Sequence, residues 1–325
     1  MKNISISFII PYYKVDVKLL DRCLNSLLQF DHIGLDWEAH IIDDGTPNSM
    51  AENIVQQKGS NRLFYHRHVH SGLGKTRNAG MVYAQKEYIH FLDADDYLYL
   101  NACKKLFSIM VEEKPQLITF NYHKEYNDII NQRIRPTGKI RWKGTGVDYM
   151  TKHNLHGSAC CYFVQKSILT DIQFSDIAYH EDEEFTPLLF LKAKDIIITD
   201  IEAYAYYQRQ GSLLHEKATI LMSQRYASLL TILNRLKTTS ESMKVPYSTA
   251  LSKRVDMLCM DMIYNLLLNS PNKDFFIQTL KEMHENGFYP IRFKPHTLTY
   301  ILFSILVANK QLAVILYKIF QRIKN

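Results

Sequence analysis

A chain of 325 residues, 46% hydrophobic and 22% charged, has an ordinary globular composition that excludes wholesale disorder and is long enough for one large domain with an appendage, or for two domains. Its five cysteines are odd in number and include no Cys-x-x-Cys, which argues against a disulfide framework or a structural zinc site and fits a reducing cytosol. The net charge of +6 is concentrated in the last third: residues 216–325 hold 15 Lys and Arg against 7 Asp and Glu, whereas residues 1–215 hold 24 against 26. That bias suits an anionic partner such as a membrane surface. No nucleic-acid-binding module is recognisable, so no nucleic acid partner is expected. No signal peptide is visible either, because Met1-Lys2-Asn3 leads directly into a strand-like run.

In chain order, residues 5–10 are a continuous apolar run ended by Pro11, the pattern of a strand buried on both faces. Residues 16–29 carry Val17, Leu20, Leu24, Leu27 and Leu28 at helical spacing. A second strand over 37–42 ends in Asp43-Asp44-Gly45-Thr46. A helix is expected over 49–57, a short strand over 62–67, and a glycine-bearing loop from His70 that turns into a helix reaching Ala84. Strands alternating with helices at this spacing imply right-handed β-α-β units and a parallel sheet covered on both faces.

The next strand, Tyr88-Ile89-His90-Phe91, runs into Leu92-Asp93-Ala94-Asp95-Asp96. Three carboxylates within four residues repel one another, so folding gains nothing from them unless a cation shares the site. Hard oxygen ligands suit Mg²⁺ or Mn²⁺. Tyr13, Asp43-Asp44 and Asp93-Asp95 all fall at the carboxyl ends of strands, where open sheets of this kind bind their ligands.

Further on, residues 101–113 read as helix, 116–122 as strand, 127–146 as an irregular polar excursion, and 160–164 as a strand at the floor of a second subsite. Glu181, Asp182, Glu183 and Glu184 open a helix, where acids also favour the positive end of its dipole. Short strands are expected over 196–199 and 203–207. Residues 216–325 are helical, over 220–237, 249–268, 275–285 and 298–323. The last is the most apolar, but Asn309-Lys310-Gln311 interrupts it, which disfavours a membrane span and leaves a helix packed on the core, the favoured reading, or one lying at a membrane interface. Gly72-Leu73-Gly74-Lys75-Thr76 superficially suggests a phosphate-binding P-loop, yet Val69 stands where that motif needs its first glycine.

Taken together, these residues resemble the inverting family 2 glycosyltransferases of the GT-A fold. The resemblance is carried by Pro11-Tyr12-Tyr13-Lys14, Asp43-Asp44-Gly45-Thr46, the run from His70 to Gly80 with Arg77-Asn78, Phe91 to Asp96, Glu181 to Phe185, and a trailing Tyr206 to Ser212. Lys14, His70 and Thr76 depart from the family pattern. The motifs occur in order over residues 4–215 and do not extend into 216–325.

With the C-terminal helical extension already read from the pattern of residues 216–325, the resemblance implies an α/β fold, a Rossmann-like and mostly parallel sheet with helices on both faces. It divides the chain into a glycosyltransferase domain over 1–215, with a nucleotide-sugar half over about 1–100 and an acceptor half over about 101–215, and a basic extension over 216–325. The implied reaction moves a sugar, with inversion, from a nucleoside diphosphate sugar, UDP favoured, to a glycan or lipid-linked acceptor. Asp93 and Asp95 would hold Mg²⁺ or Mn²⁺. Pro11 and Tyr13 would wall the base and ribose, and Asp44, or else Asp43, would accept hydrogen bonds from them. Gly72 would permit close backbone approach, Arg77 would approach the donor or orient Asp95, and Asp182 matches the base that deprotonates the acceptor hydroxyl. His180 and His215 are weaker candidates for contact with metal or acceptor. A cytoplasmic setting is expected, and the basic charge of residues 216–325, which the resemblance does not cover, suits peripheral contact of the C-terminal helices with an anionic membrane or a lipid pyrophosphate. The alternatives are a sugar nucleotidyltransferase, which would need glycines after the first strand, and a non-catalytic nucleotide- or sugar-binding domain.

Overall fold

The computed structural model describes residues 4–126, 137–208, 219–291, 294 and 297–324. Residues 127–136 of the expected excursion, the end of the trailing motif including Gly211 and Ser212, and His215 lie outside the described residues. The chain divides into two compact units: residues 1–146 with 157–212, and residues 147–156 with 213–325.

The first unit is built on one sheet. Strands β1 (Ser5–Tyr12), β2 (Asp36–Asp43), β3 (Leu63–Arg67) and β4 (Tyr88–Phe91) lie in the order β3-β2-β1-β4, all parallel. Strands β1, β2 and β4 are almost entirely buried, their polar members Ser7, Glu38, His40 and His90 included, as expected of strands covered on both faces, whereas in β3, at the end of the strand order, only Leu63 is buried. Helix α1 (Val17–Leu28) starts where the Asp16 carboxylate accepts from the Lys18 amide at 2.9 Å, and it buries Leu20, Cys23, Leu24 and Leu27. Helix α2 (Ala51–Gln57) follows β2, and α3 (Leu73–Tyr83) returns across the sheet. Gly80 sets how closely α3 lies on the sheet: a Cβ there would stand 2.2 Å from Ile9 Cγ2, so only glycine fits.

Register makes the site. Tyr12 pairs with Asp43, Asp43 pairs with Arg67, and Ile9 pairs with Phe91, so the carboxyl ends of all four strands lie along one edge. Pro11 and Tyr12 continue β1 beyond its expected end.

Beyond β4 the sheet becomes mixed. After β5 (Tyr97–Leu98) and α4 (Leu100–Glu113) come β6 (Leu117–Glu125) and β7 (Ile140–Gly144). Helix α5 (Gly146–Lys152) is followed by β8 (Tyr162–Gln165), α6 (Glu181–Lys192) and β9 (Ile196–Tyr207). The order continues β4-β8-β6-β9-β5, with β8 antiparallel to both neighbours, β6 parallel to β9, and β7 antiparallel to β9. Two expectations are corrected here. The short strands at 196–199 and 203–207 are one strand, which absorbs the polar interruption through register shifts opposite Thr119 to Tyr122. Part of the excursion at 127–146 is the ordered strand β7. Phe8, Phe30, Trp37, Phe107 and Phe163 are fully buried in the core and linked by ring contacts, each contributing roughly 1.5–3 kcal/mol of burial.

The second unit is helical: α7 (Thr219–Ser242), α8 (Tyr247–Asn269), α9 (Lys273–Glu285), α10 (Leu298–Leu306) and α11 (Lys310–Lys324). Helix α8 is its centre, burying Leu251, Leu258, Met262, Ile263 and Leu266. Residues 147–152 of α5 belong to this second unit, where Lys253 donates to the Thr151 carbonyl at 2.8 Å and ties α5 to α8. The single helix expected over 298–323 is instead two helices bent by 104°, broken at residues 307–309, so that of the polar run noted in the sequence Asn309 lies in the break and Lys310 and Gln311 open α11.

Candidate active site

The end of β2 supplies two carboxylates with different surroundings. Asp43 accepts from the Thr46 amide and the Tyr65 hydroxyl, both at 2.8 Å. Burial alone would raise its pKa, but hydrogen bonds from Ser49, Thr46 and Tyr65 outweigh it and hold the carboxyl below its usual range. Asp44 is also buried. Its Oδ1 accepts from the Ser71 amide at 2.7 Å, its Oδ2 accepts from the Gly72 amide at 3.0 Å, and His70 Nδ1 lies 2.7 Å from Oδ2. Asp44 therefore anchors the loop that opens α3. Gly72 takes φ +93° there, a conformation that favours glycine.

Tyr13 stands just past the end of β1, 36% exposed, and its ring stacks on His70 at 4.1 Å between centroids. Tyr13, His70, Asp44 and Gly72 thus form one cluster at the strand ends, and Lys14 Nζ also lies over the Tyr13 ring, 4.8 Å from its centroid. Pro11 is buried within β1, opposite Ile42.

The acidic stretch is divided among three tasks. Asp93 is about one third exposed and receives Arg77 Nη2 at 3.1 Å. At Asp95 the backbone carbonyl accepts from Arg22 Nη2 at 2.6 Å, and Arg22 in turn lies over the Tyr207 ring at 4.2 Å. Asp96 is only 1% exposed; it accepts from the Tyr204 hydroxyl at 2.6 Å and the Tyr207 amide at 2.8 Å. Burial, reinforced by Asp95 and Asp93, pushes its carboxyl well above the usual range. Asp96 therefore joins the motif to β9. The Asp93 amide also reaches the Tyr204 hydroxyl, at 3.2 Å.

Helix α3 connects this stretch to α6. The Asn78 side chain accepts from the Phe174 amide at 2.9 Å and donates to its carbonyl at 2.7 Å. A Cβ on Gly74 would come 2.4 Å from the Ser175 carbonyl, so the segment before α6 runs directly against α3. Arg77 is thereby placed to donate to Glu181 Oε1 at 2.5 Å as well as to Asp93. Burial would lower the guanidinium's pKa, but Asp93, Glu181 and Asp182 raise it further and keep it charged.

Asp182, next to Glu181, is half-buried. Its carboxyl is pushed well above the usual range, first by burial, then by Glu181 and Glu183, with Arg77 opposing and Asp93 adding to the rise. The structure thus brings Arg77, Asp93, Glu181 and Asp182 into one electrostatic neighbourhood, although Asp93 and Asp182 are far apart in sequence. A carboxylate whose proton affinity is raised in this way is a better proton acceptor than an ordinary one. Gly157 brings another segment here, since a Cβ on it would meet Glu183 Oε2 at 2.1 Å.

Among the described residues, no three His, Cys, Asp or Glu side chains converge as a cage for a metal ion. The local donors, Asp93 and Asp95, are hard carboxylate oxygens on one tight turn. They fit Mg²⁺ or Mn²⁺ bound by one or two carboxylates, with the shell completed by phosphate and water.

Sequence reasoning named Asp43, Asp44, Arg77, Asp93, Asp95 and Asp182, but it missed the partners that position them. His70 was noted only as a departure from a pattern, although it both stacks on Tyr13 and pairs with Asp44. Arg22 and Tyr204 carry no motif signal, since their roles arise only from the way α1 and β9 pack. Arg77 was expected to face the donor or Asp95; its observed partners are Asp93 and Glu181.

The family model described as Glycosyl transferase family 2 matches residues 7–172. The chain is 29% identical over 213 residues, 63% of its length, to a poly(ribitol-phosphate) beta-glucosyltransferase of Bacillus spizizenii, and the match covers 33% of that relative. It is 23% identical over 211 residues to the poly(ribitol-phosphate) beta-N-acetylglucosaminyltransferase TarS of Staphylococcus aureus, covering 63% of this chain and 36% of TarS. The matched part thus spans about a third of each of these two relatives. In fold, the chain is similar to a crystal structure of S. aureus TarS 1–349, with TM-score 0.67 and 17% identity over 98% of this chain and 92% of that one. A second structure of the same fragment, in complex with UDP-GlcNAc, also gives TM-score 0.67 at 15% identity. The likeness in fold therefore reaches past the motifs into the helical unit.

Proposed function

The chain belongs to glycosyl transferase family 2, and we propose that it moves one sugar, with inversion, from a UDP-sugar to a glycan or lipid-linked acceptor in the synthesis of a surface polysaccharide. The observation that carries this reading is the meeting of a strand-end acidic turn, Asp93 to Asp95, with a raised carboxyl, Asp182, through one buried arginine, Arg77.

Each part then has a chemical task. The part-exposed Tyr13 ring walls the nucleobase, and Asp43, Asp44 and the Gly72 backbone shape the pocket for base and ribose. Asp93 and Asp95 hold a divalent cation, which when bound offsets the charge that develops on the departing diphosphate. Arg77 fixes Asp93 in place. Asp182 takes the proton from the acceptor hydroxyl, on the face of the sugar opposite the diphosphate, as inversion requires. Glu181 and Glu183 raise its proton affinity for that step. A hexosyl or N-acetylhexosaminyl group is the favoured cargo, supported by the TarS fragment's complex with UDP-GlcNAc. The proposed setting is the cytoplasm, at the inner face of the membrane, where a lipid-linked acceptor would be met.

A thermal-shift screen of UDP, GDP and dTDP, each with and without Mn²⁺, tests the donor half of this reading. A metal-dependent rise in melting temperature is expected with UDP. No shift with any of the three nucleotides would count against it.

A further inference from the structure

We propose that α10 and α11 form an in-plane docking surface for anionic lipid. On α10, Leu298, Leu302, Ile305 and Leu306 recur at i, i+4, i+7 and i+8, and all are between 50 and 72% exposed. On α11, Leu312, Ile315 and Ile319 recur at i, i+3 and i+7, between 41 and 53% exposed. These are not the core-facing positions. The faces packed within the unit are a different set: Tyr300 and Ser304 on α10, Val307 just past its end, and Ala313 and Tyr317 on α11 are buried. Both helices therefore have two apolar sides, and only one is covered. Isolated exposed leucines are ordinary; seven large aliphatics in two continuous stripes are not.

The charge pattern selects the occupant. From residue 286 to 325 the sequence has six Lys and Arg and no Asp or Glu. On α11, Lys318 and Arg322 share the helical face of Ile315 and Ile319, at i+3 and i+7 from Ile315. A second copy of the chain would bring the same positive charge against this face, whereas an anionic bilayer supplies apolar depth beneath an oppositely charged surface. Among the described residues no single helix is long and apolar enough to cross a membrane; α10 and α11 together have the length and composition of a broken span, but their bend of 104° suits lying in the interface rather than spanning it. This inference deepens the proposed site of action at the membrane, and it rests on that reading for its purpose.

The test is flotation of the full chain with vesicles of phosphatidylcholine alone and of phosphatidylcholine containing phosphatidylglycerol. Binding is expected only to the anionic vesicles and should fall as salt rises. The double variant Ile315→Asn/Ile319→Asn and the charge reversal Lys318→Glu/Arg322→Glu should each weaken binding at least tenfold. Their substituted side chains are exposed, so folding should be retained, as circular dichroism would verify. Equal binding to both vesicle types, no binding, retention after alkaline carbonate washing, or a dimer in light scattering that the Ile315/Ile319 variant dissociates would each overturn the proposal. The UDP and Mn²⁺ thermal shift, measured without lipid, separates the two claims. Vesicle binding without that shift would sink the enzymatic reading and leave this one standing.

Discussion

Arg77 and Glu181 meet at 2.5 Å, 104 residues apart in sequence and both nearly fully buried. This pair, with the second contact from Arg77 to Asp93, holds helix α6 beside the acidic turn. Removing one member of such a buried pair leaves an uncompensated charge, which costs about 3–5 kcal/mol. Arg77→Met should lower the unfolding free energy by that order, read from the midpoint of a urea titration. Arg77→Lys should recover only part of it, because an ammonium cannot span Asp93 and Glu181 as the guanidinium fork does.

The acidic turn should separate by role when its members are changed singly. Asp95→Asn should abolish the metal-dependent part of UDP binding while leaving the melting temperature nearly unchanged. Tyr204→Phe should do the reverse, because it removes the hydroxyl that supports Asp96 and the Asp93 amide. A loss of about 1–3 kcal/mol in stability is expected from that change. Calorimetric titration with UDP and Mn²⁺, run beside thermal melts, distinguishes the two outcomes.

His70 should matter to the donor through Tyr13 and Asp44. His70→Ala removes both the stacked ring and the contact to the carboxylate, and should weaken UDP binding by about tenfold, or roughly 1.4 kcal/mol. His70→Asn, which restores the residue usual in the family pattern, should keep part of the Asp44 contact and fall between the two. Unchanged affinity in both variants would remove His70 from the site.

Acid should destabilise the chain through His90. This side chain is fully buried in β4, and burial pushes its pKa down to about 4 from the usual 6.5. The unfolded state therefore binds the proton more readily, and stability is lost as pH falls from about 6.5 towards 4. At pH 5 this amounts to about 2 kcal/mol relative to pH 7. His90→Gln should flatten that part of the pH profile in urea unfolding experiments. A wild-type profile that is level between pH 7 and pH 5 would contradict the assignment.

The fold was legible wherever chemistry and periodicity coincide. The strands β1, β2 and β4 announced themselves as short, mostly apolar runs ending in polar residues, although Ser7, Glu38, His40 and His90 interrupt them, and register then had to align those ends. The break at Asn309-Lys310-Gln311 was visible, but a bend of 104° was not, because composition reports an interruption without its angle. Strand β7 was hidden in a charged stretch because half its residues face solvent, where lysine and arginine are permitted. In the site, residues with the chemistry of binding were readable, while those that position them were not. Arg22, Tyr204 and Glu181 gain their roles from packing between elements distant in sequence. Asp44 and Asp96 add the same lesson in reverse: both belong to the motifs, and both are held by backbone amides of neighbouring segments.

The central claim is that Asp182 accepts the proton while Asp93 and Asp95 serve the donor's diphosphate. Its most direct test is Asp182→Asn, with UDP release from UDP-GlcNAc and UDP-glucose followed beside the affinity for UDP with Mn²⁺. The substitution should leave that affinity within about twofold and reduce turnover by 10²-fold or more. Turnover retained in Asp182→Asn would contradict the account.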